Sequence, residues 1–469
     1  MSTYRSLDTE SILSGWSYGG NRTANEAILS CLEKLQSQSS DQIRNDALAS
    51  AAVNNMVTGT VGSGLKPQPA IDYEFLSISD EKAHEFSRKA ERLFQWWALS
   101  KACDFSRNHT FWEMEALLIR STLEFGDSFV LKRKRSSSPI LDLSLQMIEA
   151  PRVKTPLERS SLYTKAGLEL DPKTGEITSI YVSSESKNFR PEFIRVAIHD
   201  VDGYPQLIHL ANKKRIDQSR GIPYLATVTP LMKQLSRFAE GETAAAVLNS
   251  FLAFVTKTRD GSSPLGDSGV VGGGKKRQVP QKISPQMNVH LREGESIEML
   301  DPKRPNSNFS SFFDAIVKLI GAELEIPFEV LISSFNSSYS ASRAAMVKAF
   351  QVYKLRRKWL VENFHKQVWD WFIEDCVLKG HLDAPGFFDD PIKRLAYTSC
   401  DWVGDSSLQI DPVKEANGAG KLYELGVISK KTLTQLLTGQ NYENVVEQRR
   451  KESILEKELF SGSKSSSSE

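Results

Sequence analysis

The chain has 469 residues, of which 40% are hydrophobic and 25% charged, a composition typical of a folded soluble protein. Its length predicts two or three compact units. The formal net charge is only +1, so the basic excess of a protein that grips DNA tightly through its phosphates is missing. Residues 1–20 lack the apolar region of a signal peptide, and no apolar run reaches the roughly 18 residues of a membrane span.

The four cysteines, Cys31, Cys103, Cys376 and Cys400, form no C-x-x-C pair and lie at no metal-finger spacing from a histidine. We therefore expect reduced thiols in a protein made in the cytosol, with no metal site.

The first part of the chain reads as a polar arm followed by helices. Residues 1–40 are rich in Ser and Asn and predict an arm, and Ser40 and Asp41 can cap a helix that ends in the glycine-rich turn 58–64. Apolar residues at helical spacing then predict helices over about 80–99 and from Thr110 to Gly126.

Residues 127–210 look β-rich, with short runs of β-branched and apolar residues and a good turn at 171–175. A helix follows from Pro230 to about Val255, and another covers about 309–325. Between them, residues 259–274 read as a loop and 275–308 as short β-like pieces.

The longest predicted helix runs from about Ser340 to Lys379. At a rise of 1.5 Å per residue it would be roughly 60 Å long, which suggests an element that crosses a large assembly. The alternative is two helices with an undetected kink. Beyond it, Gly426, Ser429 and Gly439 mark the ends and starts of short helices, and the Ser-rich tail 461–469 predicts disorder.

One segment nearly matches the phosphate-binding loop G-x-x-x-x-G-K-[ST], since Gly269 and Gly274 are followed by Lys275. The last position is Lys276, so the hydroxyl that would bind Mg²⁺ is missing. No buried strand precedes the segment, and Pro280 disfavours the helix that should follow it. A flexible basic loop is therefore favoured over a nucleotide site.

Other candidate sites have ordinary structural interpretations. The pattern around His199, Asp200 and Asp202 favours a solvated turn over a metal site. The adjacent carboxylates Asp389 and Asp390 diverge, which favours a polar turn.

A thiol site at Cys103 with Asp104 and His109 has no diagnostic spacing, and no nucleophile elbow or zinc-protease motif is present. The basic runs read mostly as solvated faces, except that Arg357 would interrupt an apolar helical stripe and hints at a subunit contact or salt bridge. These runs are 132–135, 213–215, 275–277 and 356–358.

Several short blocks, in consistent order over about residues 40–455, resemble the lambda-type phage portal proteins. The blocks are 54–57 with 61–65, Cys103-Asp104 with Phe111-Trp112 and 126–129, 146–149 with 167–171 and Gly175, His209 with Arg215, Gln218 and 220–223, 326–329 with 338–343, and 411–416 with Gly426. The order and number of the blocks carry the resemblance. The chain departs from the pattern in its Ser/Asn-rich start and in the Gly-rich segment 261–274.

The resemblance implies an α+β fold: a mainly helical portal fold with a β-rich wing, a two-helix stem, a small α/β clip and a C-terminal helical crown. The implied parts are an N-terminal arm and first helix (1–64), the wing (65–225), a stem helix (226–258), the clip (259–308), a second stem helix (309–325), a tunnel loop (326–339), the long wing helix and its connection (340–394), the crown (395–460) and a disordered tail (461–469).

The function it implies is that of a non-enzymatic ring subunit, without cofactor, at one vertex of a capsid. Expected partners are other copies of the chain in a twelvefold ring, double-stranded DNA held without sequence preference, the terminase large subunit, the major capsid protein and head–tail connector proteins, with no membrane. The expected location is the virion, and the host cytoplasm during assembly. The alternatives are a head–tail adaptor or, with less support, a nucleotide-dependent packaging enzyme.

Within the tunnel loop, the uncharged stretch 333–338 is the candidate DNA-facing site, because small polar side chains there could slide past phosphates without trapping them. On composition alone, the alternative is an ordinary loop that connects helices. Its candidate residues are Ser333, Ser334, Phe335, Asn336, Ser337 and Ser338. The candidate motor-facing residues are the basic clip residues Lys275, Lys276 and Arg277.

Overall fold

The structure is a computed structural model that describes residues 21–136, 140–161, 163–184, 192–251, 255–258, 295–298, 309–335, 338–406 and 412–462. The chain divides into two compact units. The first consists of Met1–Ala226 and Glu325–Glu469, and the second of Thr227–Leu324. The second unit spans the residues for which the sequence predicts stem and clip segments, and the assignment of those parts stays a prediction.

The first unit begins with three helices: α1 (Ala24–Leu29), α2 (Leu32–Asn45) and α3 (Ala47–Val61). The prediction of an arm up to residue 40 is therefore wrong for residues 24–40. It failed because α2 buries the polar side chains of Gln36 and Ser39, which leaves only a sparse apolar stripe in the sequence.

The predicted cap at Ser40 and Asp41 is also wrong, since both residues lie inside α2. Asp46 is the cap instead. Its carboxylate accepts hydrogen bonds from the backbone N–H groups of Leu48 and Ala49, at 2.9 and 3.1 Å, and so starts α3.

After α3 the chain turns at Gly62 and enters strand β1 (Lys66–Pro69). This strand pairs antiparallel with residues 400–403, so that Lys66 faces Val403 and Pro69 faces Cys400. The sequence placed residues 400–403 at the start of a helical crown. The structure corrects this, because these residues form a strand that pairs with the region predicted as wing.

Three helices follow: α4 (Tyr73–Leu76), α5 (Asp80–Leu99) and α6 (Phe111–Phe125). The predicted bounds of the last two are confirmed. Thr110 and Glu113 form a capping box at the start of α6, and Gly126, in the left-handed region with φ of 89°, ends it.

An aromatic core joins these helices to later parts of the first unit. The ring of Phe94, on α5, has its centroid 5.1–5.5 Å from each of five other aromatic rings, in edge-on and tilted arrangements that aromatic pairs favour. The five rings belong to Trp97, Phe111, Trp369, Phe372 and Trp402.

The β-rich centre is confirmed as two antiparallel sheets. The first has the order β3-β2-β8 and the second the order β4-β5-β6-β7. The strands are β2 (Asp127–Lys134), β3 (Leu143–Glu149), β4 (Thr164–Lys165), β5 (Leu168–Leu170), β6 (Ile177–Ser184), β7 (Glu192–Ala197) and β8 (Leu207–Ala211). The predicted turn at 171–175 is present, with Gly175 at a φ of 73°.

The second unit contains helix α7 (Thr229–Phe251), an antiparallel pair of strands β9 (Val255–Thr258) and β10 (Glu295–Glu298), and helix α8 (Phe309–Glu323). A helix over 226–258 was therefore predicted too long at its end. Residues 255–258 are Val-Thr-Lys-Thr, and their β-branched side chains favour a strand. The ring of Phe238 lies 5.4 Å from that of Phe309, so α7 and α8 pack through stacked aromatics.

The chain then forms the short helix α9 (Phe328–Leu331) and the long helical run. This run consists of α10 (Tyr339–Leu360), a single π-helical turn (Val361–His365) and α11 (Lys366–Leu378). The predicted helix over 340–379 is confirmed. The backbone stays in the right-handed helical region at Val361 and at Lys366, so the turn does not divide the run into two helices.

In the described residues after α11, the regular elements are four helices and the strand already described, now β11 (Cys400–Val403). The predicted restart at Ser429 and stop at Gly439 are confirmed by their capping geometry. The helices are α12 (Pro391–Tyr397), α13 (Pro412–Glu424), α14 (Lys430–Thr438) and α15 (Tyr442–Gly462). Among the described residues, no helix is both long and apolar enough to span a bilayer.

Candidate channel segment and its buried supports

The candidate channel segment, residues 330–338, is anchored to the first unit at its base. The side chain of Asn55, on α3, donates a hydrogen bond of 3.2 Å to the carbonyl of Val330 in α9. The backbone N–H of Ser334 donates to the carbonyl of Glu329 at 3.0 Å, which closes the turn after α9. The segment therefore follows a helical turn that is hydrogen-bonded to α3.

Four of the six predicted channel residues lie in the described part of the segment, and Asn336 and Ser337 lie outside it. Ser333 is exposed and has a φ of 53°. The side chain of Phe335 is 46% exposed. Ser338 has a structural role that the sequence did not predict, since its hydroxyl accepts a hydrogen bond from the N–H of Ala341 and caps α10.

The channel segment lies in a stretch of sequence without charge. No Asp, Glu, Lys or Arg occurs from residue 330 to residue 342, and Glu329 and Arg343 flank the stretch. Arg343 is itself directed toward Glu415, at 3.8 Å. The predicted basic residues Lys275, Lys276 and Arg277 lie outside the described residues, as does the whole near-match to a phosphate loop.

A buried charge cluster joins the start of β2 to the turn that follows β8. The Asp127 carboxylate accepts hydrogen bonds from His209 Nε2 at 2.8 Å, from Arg220 Nε at 2.8 Å and from the N–H of Gly221 at 2.7 Å. Burial by itself raises the pKa of Asp127, but the Arg220 charge and the His209 hydrogen bond outweigh it and lower this pKa to about 2. The carboxylate is therefore ionised, with all its partners in place.

Arg220 also donates to backbone carbonyls, which fixes the neighbouring loops. Its guanidinium bonds to the carbonyls of Ala150, Val153 and Ala166. Gly221 contacts the Gly126 backbone so closely that a Cβ atom would collide with the Gly126 carbonyl. Sequence analysis singled out residues 220–223 only through the family resemblance and gave no role to Asp127.

A second buried pair lies at the π-helical turn. Glu115, on α6, is paired with His365 Nε2, and its other oxygen accepts the N–H of Leu65 at 3.2 Å. Both side chains are 0% exposed. Burial raises the pKa of Glu115, although His365 opposes this shift. The pair connects α6, the turn before β1 and the middle of the long helical run.

A third network holds α12 against α11. The Arg394 guanidinium lies 2.6 Å from Asp370 and 2.7 Å from Glu374, and Lys132 Nζ lies 2.9 Å from Glu374. Burial alone would lower the pKa of Arg394, but the two carboxylates outweigh it and raise this pKa. The sequence gave no indication of this network, because its partners lie on separate elements.

Arg357, for which the sequence predicts a subunit contact or salt bridge, binds backbone carbonyls of its own chain, and the subunit contact stays a prediction. Its guanidinium donates to the carbonyls of Gly59 and Thr60, at 3.4 and 3.0 Å, and to that of Asp405 at 3.0 Å. The first two carbonyls belong to the last turn of α3, where a cation is favoured. Arg357 thus provides hydrogen bonds to backbone carbonyls at the C-terminal end of α3, within the same chain.

The other candidate sites are structural where the structure describes them. The Asp104 carboxylate accepts hydrogen bonds from Ser106, Asn108 and His109 and so shapes a turn. Burial raises the pKa of Cys103 to about 12, which disfavours a reactive thiolate. Asp390 caps α12. Within the described residues, no group of three or more His, Cys, Asp or Glu side chains could hold a metal ion.

Comparison with known proteins decides the family. A family model described as phage portal protein, lambda family, matches residues 9–357. The chain belongs to the lambda family of phage portal proteins. It is a structural portal subunit of the capsid, as the sequence predicted.

Two curated portal proteins are similar along most of this subunit. Portal protein B of Escherichia phage lambda is 22% identical over 437 residues, which cover 87% of this chain and 81% of that protein. The portal protein of Escherichia phage N15 is 22% identical over 472 residues, which cover 94% and 88%.

The fold also has a solved counterpart. A chain from the neck of an empty GTA particle, computed with C6 symmetry, superposes with a TM-score of 0.50 at 11% identity. The match covers 90% of this portal subunit and 95% of that chain. The predicted α+β portal fold is thereby confirmed.

Proposed function

We propose that twelve copies of this portal subunit close into a ring whose axial channel admits double-stranded DNA during packaging and releases it at ejection. The observation that carries the proposal is the uncharged, partly exposed channel segment on a fixed base. The family resemblance is the source of the number twelve. Closed rings require heterologous contacts, in which one face of each subunit meets a different face of the next.

The lack of charge in the segment suits a surface over which DNA slides. Each Lys or Arg that holds a phosphate adds free energy from counterion release, and a ring repeats that contact in every subunit. A basic channel segment would therefore retain DNA and slow its movement. Ser333 and Phe335 offer small polar and aromatic surface without such contacts.

The C-terminal helices supply surface for contacts between neighbouring copies. Among the described residues of α13 and α14, Ala419 is the one buried residue. Large apolar side chains on and between α13, α14 and α15 are at least half exposed, which is typical of surfaces that meet a partner. They include Val413, Leu425, Val427, Leu436 and Leu455.

The remaining assignments follow the family resemblance. Residues 259–308 form a clip that meets the terminase large subunit, with Lys275, Lys276 and Arg277 facing the motor, and later the head–tail connector proteins. The wing (65–225 and 340–394) and the crown (395–460) lie nearer the major capsid protein and the packaged DNA. Residues 226–258 and 309–325 provide the stem, and 326–339 the tunnel loop. Assembly takes place in the host cytoplasm.

The subunit performs no catalysis of its own in this proposal. A head–tail adaptor is disfavoured by the family match over residues 9–357. A nucleotide-dependent packaging enzyme is disfavoured because Lys276 stands where a phosphate loop needs a hydroxyl.

Replacement of Phe335 tests the channel role. Deletion of residues 335–338 would also remove the Ser338 cap of α10, so Phe335→Ala is the cleaner change. Particles with this variant should contain intact rings but less nuclease-protected DNA than the wild type. Phe75→Ala is the matched control, since Phe75 has a similar exposure of 50% but lies on α4, outside the segment in sequence. A normal DNA content in Phe335→Ala particles would contradict the role.

A further inference from the structure

The C-terminal helix α15 rests on α5 through charged side chains. Arg88 lies 3.1 Å from Glu447, and His84 Nδ1 lies 3.6 Å from Glu443. His84 Nε2 also lies 3.6 Å from Asp80, one turn earlier on α5. None of the described side chains of α15 is buried, so α15 contacts α5 through charged side chains and not through a buried apolar face.

Between the two helices lies a cavity of about 780 Å³. Its walls come from α5, from β1 and from the first turns of α15. Glu91, His84 and Arg88 line it from α5, and Asn441 and Glu443 line it from the opposite side. The side chains that form the ion pairs between the two helices also line this cavity.

Glu91 lines this cavity from α5, and its pKa is shifted upward. Burial, followed by the nearby charge of Glu443, raises the pKa of Glu91 to about 7, while Asn441, Lys431 and Arg88 act in the opposite direction. Charged Glu91 and charged Glu443 repel one another across the contact. His84 pairs with Glu443 only when it is protonated.

We propose that Glu91, His84 and Glu443 form a pH-sensitive latch, which holds α15 against α5 in weakly acidic solution and loosens it as the pH rises. Protonation of Glu91 removes its repulsion from Glu443, and a charged His84 imidazole, also on α5, attracts Glu443.

The direction follows from linkage. Burial, and then the charge of Glu443 on α15, raise the pKa of Glu91 above its ordinary value of 4.5. Undocking of α15 removes the Glu443 charge, so the docked state binds more protons at Glu91 than the undocked state. The stabilisation from Glu91 is complete below about pH 4.5 and is lost as the pH rises through about 7.

Other charged groups line the same cavity. On α5 these are Asp80 and Arg88, and on α15 they are Glu447, Arg450 and Lys451.

Lys431 faces the latch from α14, and the Cys400 thiol faces it from β11. Burial raises the pKa of Cys400 well above its ordinary value, so this thiol stays neutral across the range in which the latch acts.

Hydrogen exchange of α15 in the purified full-length chain tests the latch between pH 5.5 and pH 8. The readout is the protection factor of residues 442–457, that is, the intrinsic exchange rate at each pH divided by the measured rate. In the wild type we expect protection to fall roughly tenfold over this range. Glu91→Gln, a neutral mimic of the protonated carboxyl, should lose most of this dependence and be better protected than the wild type at pH 8.

Glu85→Gln is the matched control, because Glu85 is an exposed carboxylate on α5 that does not line the cavity. It should follow the wild-type curve. Protection of wild-type α15 that does not change with pH would overturn the latch. So would a Glu91→Gln curve with the same slope as the wild type.

Discussion

Arg220 and Asp127 form an ion pair with almost no access to solvent: Nε lies 2.8 Å from Oδ2, and the side chains are 1% and 0% exposed. Removal of one partner from such a pair leaves the other charge buried without compensation. Because Arg220 also binds three backbone carbonyls, its loss disturbs the loops around the β-rich centre as well.

We therefore expect Arg220→Met to lower the free energy of unfolding by about 3–5 kcal/mol. Urea denaturation followed by tryptophan fluorescence measures the change. Arg195→Met is the control, since Arg195 is 52% exposed and pairs with Glu169 at the surface. That substitution should cost about 0–1 kcal/mol. Equal losses in the two variants would refute a special role for the buried pair.

The same cluster predicts an acid-sensitive term. The pKa of Asp127 is lowered from 3.8 to about 2 by Arg220 and His209, against the effect of burial. Its stabilisation is complete above about pH 4 and is lost as the pH falls through about 2, which amounts to about 2 kcal/mol. The stability difference between the wild type and Asp127→Asn should therefore shrink by about this amount between pH 4.5 and pH 2. A constant difference would contradict the shifted pKa.

Glu115 offers a separate test of the buried pair that it forms with His365 in the long helical run. Glu115→Ala leaves His365 and the N–H of Leu65 without their acceptor inside the core, and should cost about 3–5 kcal/mol. Glu115→Gln keeps an acceptor and the side-chain volume, so it should cost less than half as much. Thermal unfolding of both variants provides the comparison, and identical losses would show that the hydrogen bonds contribute little.

A positive charge in the channel segment should hinder DNA movement. Ser333→Lys would place one new cation per subunit at an exposed position, and the ring would multiply its hold on phosphates. We expect the yield of packaged DNA to fall roughly several-fold, with partial recovery at higher salt. Ser333→Gln, similar in length but neutral, is the control. Equal yields for Lys and Gln would argue against DNA contact at this position.

Local signals in the sequence were sufficient to predict where many helices begin and end. Thr110, Gly126, Ser429 and Gly439 each act on backbone groups within a few residues, so the pattern alone locates them. The long helix was predictable for the same reason, since its apolar stripe repeats over many turns.

The wrong predictions concern segments whose structure depends on residues that are far away in the sequence. Residues 400–403 form a strand because β1 pairs with them, and two prolines in β1 weaken its strand signal. Residues 32–45 form a helix although polar side chains face the core.

The two buried charge pairs could not be predicted from the sequence pattern either. Asp127 and Arg220 are 93 residues apart, and Glu115 and His365 are 250 apart. Only the folded chain brings them together. The channel segment stays a prediction, which rests on its lack of charge together with the family resemblance, whereas the capping role of Ser338 needed the structure.

Electron microscopy of the purified full-length chain tests the central claim most directly. Closed rings of identical subunits are expected, with an axial hole wide enough for a DNA double helix. Monomers at all concentrations, or compact particles without a central hole, would contradict a ring-shaped channel.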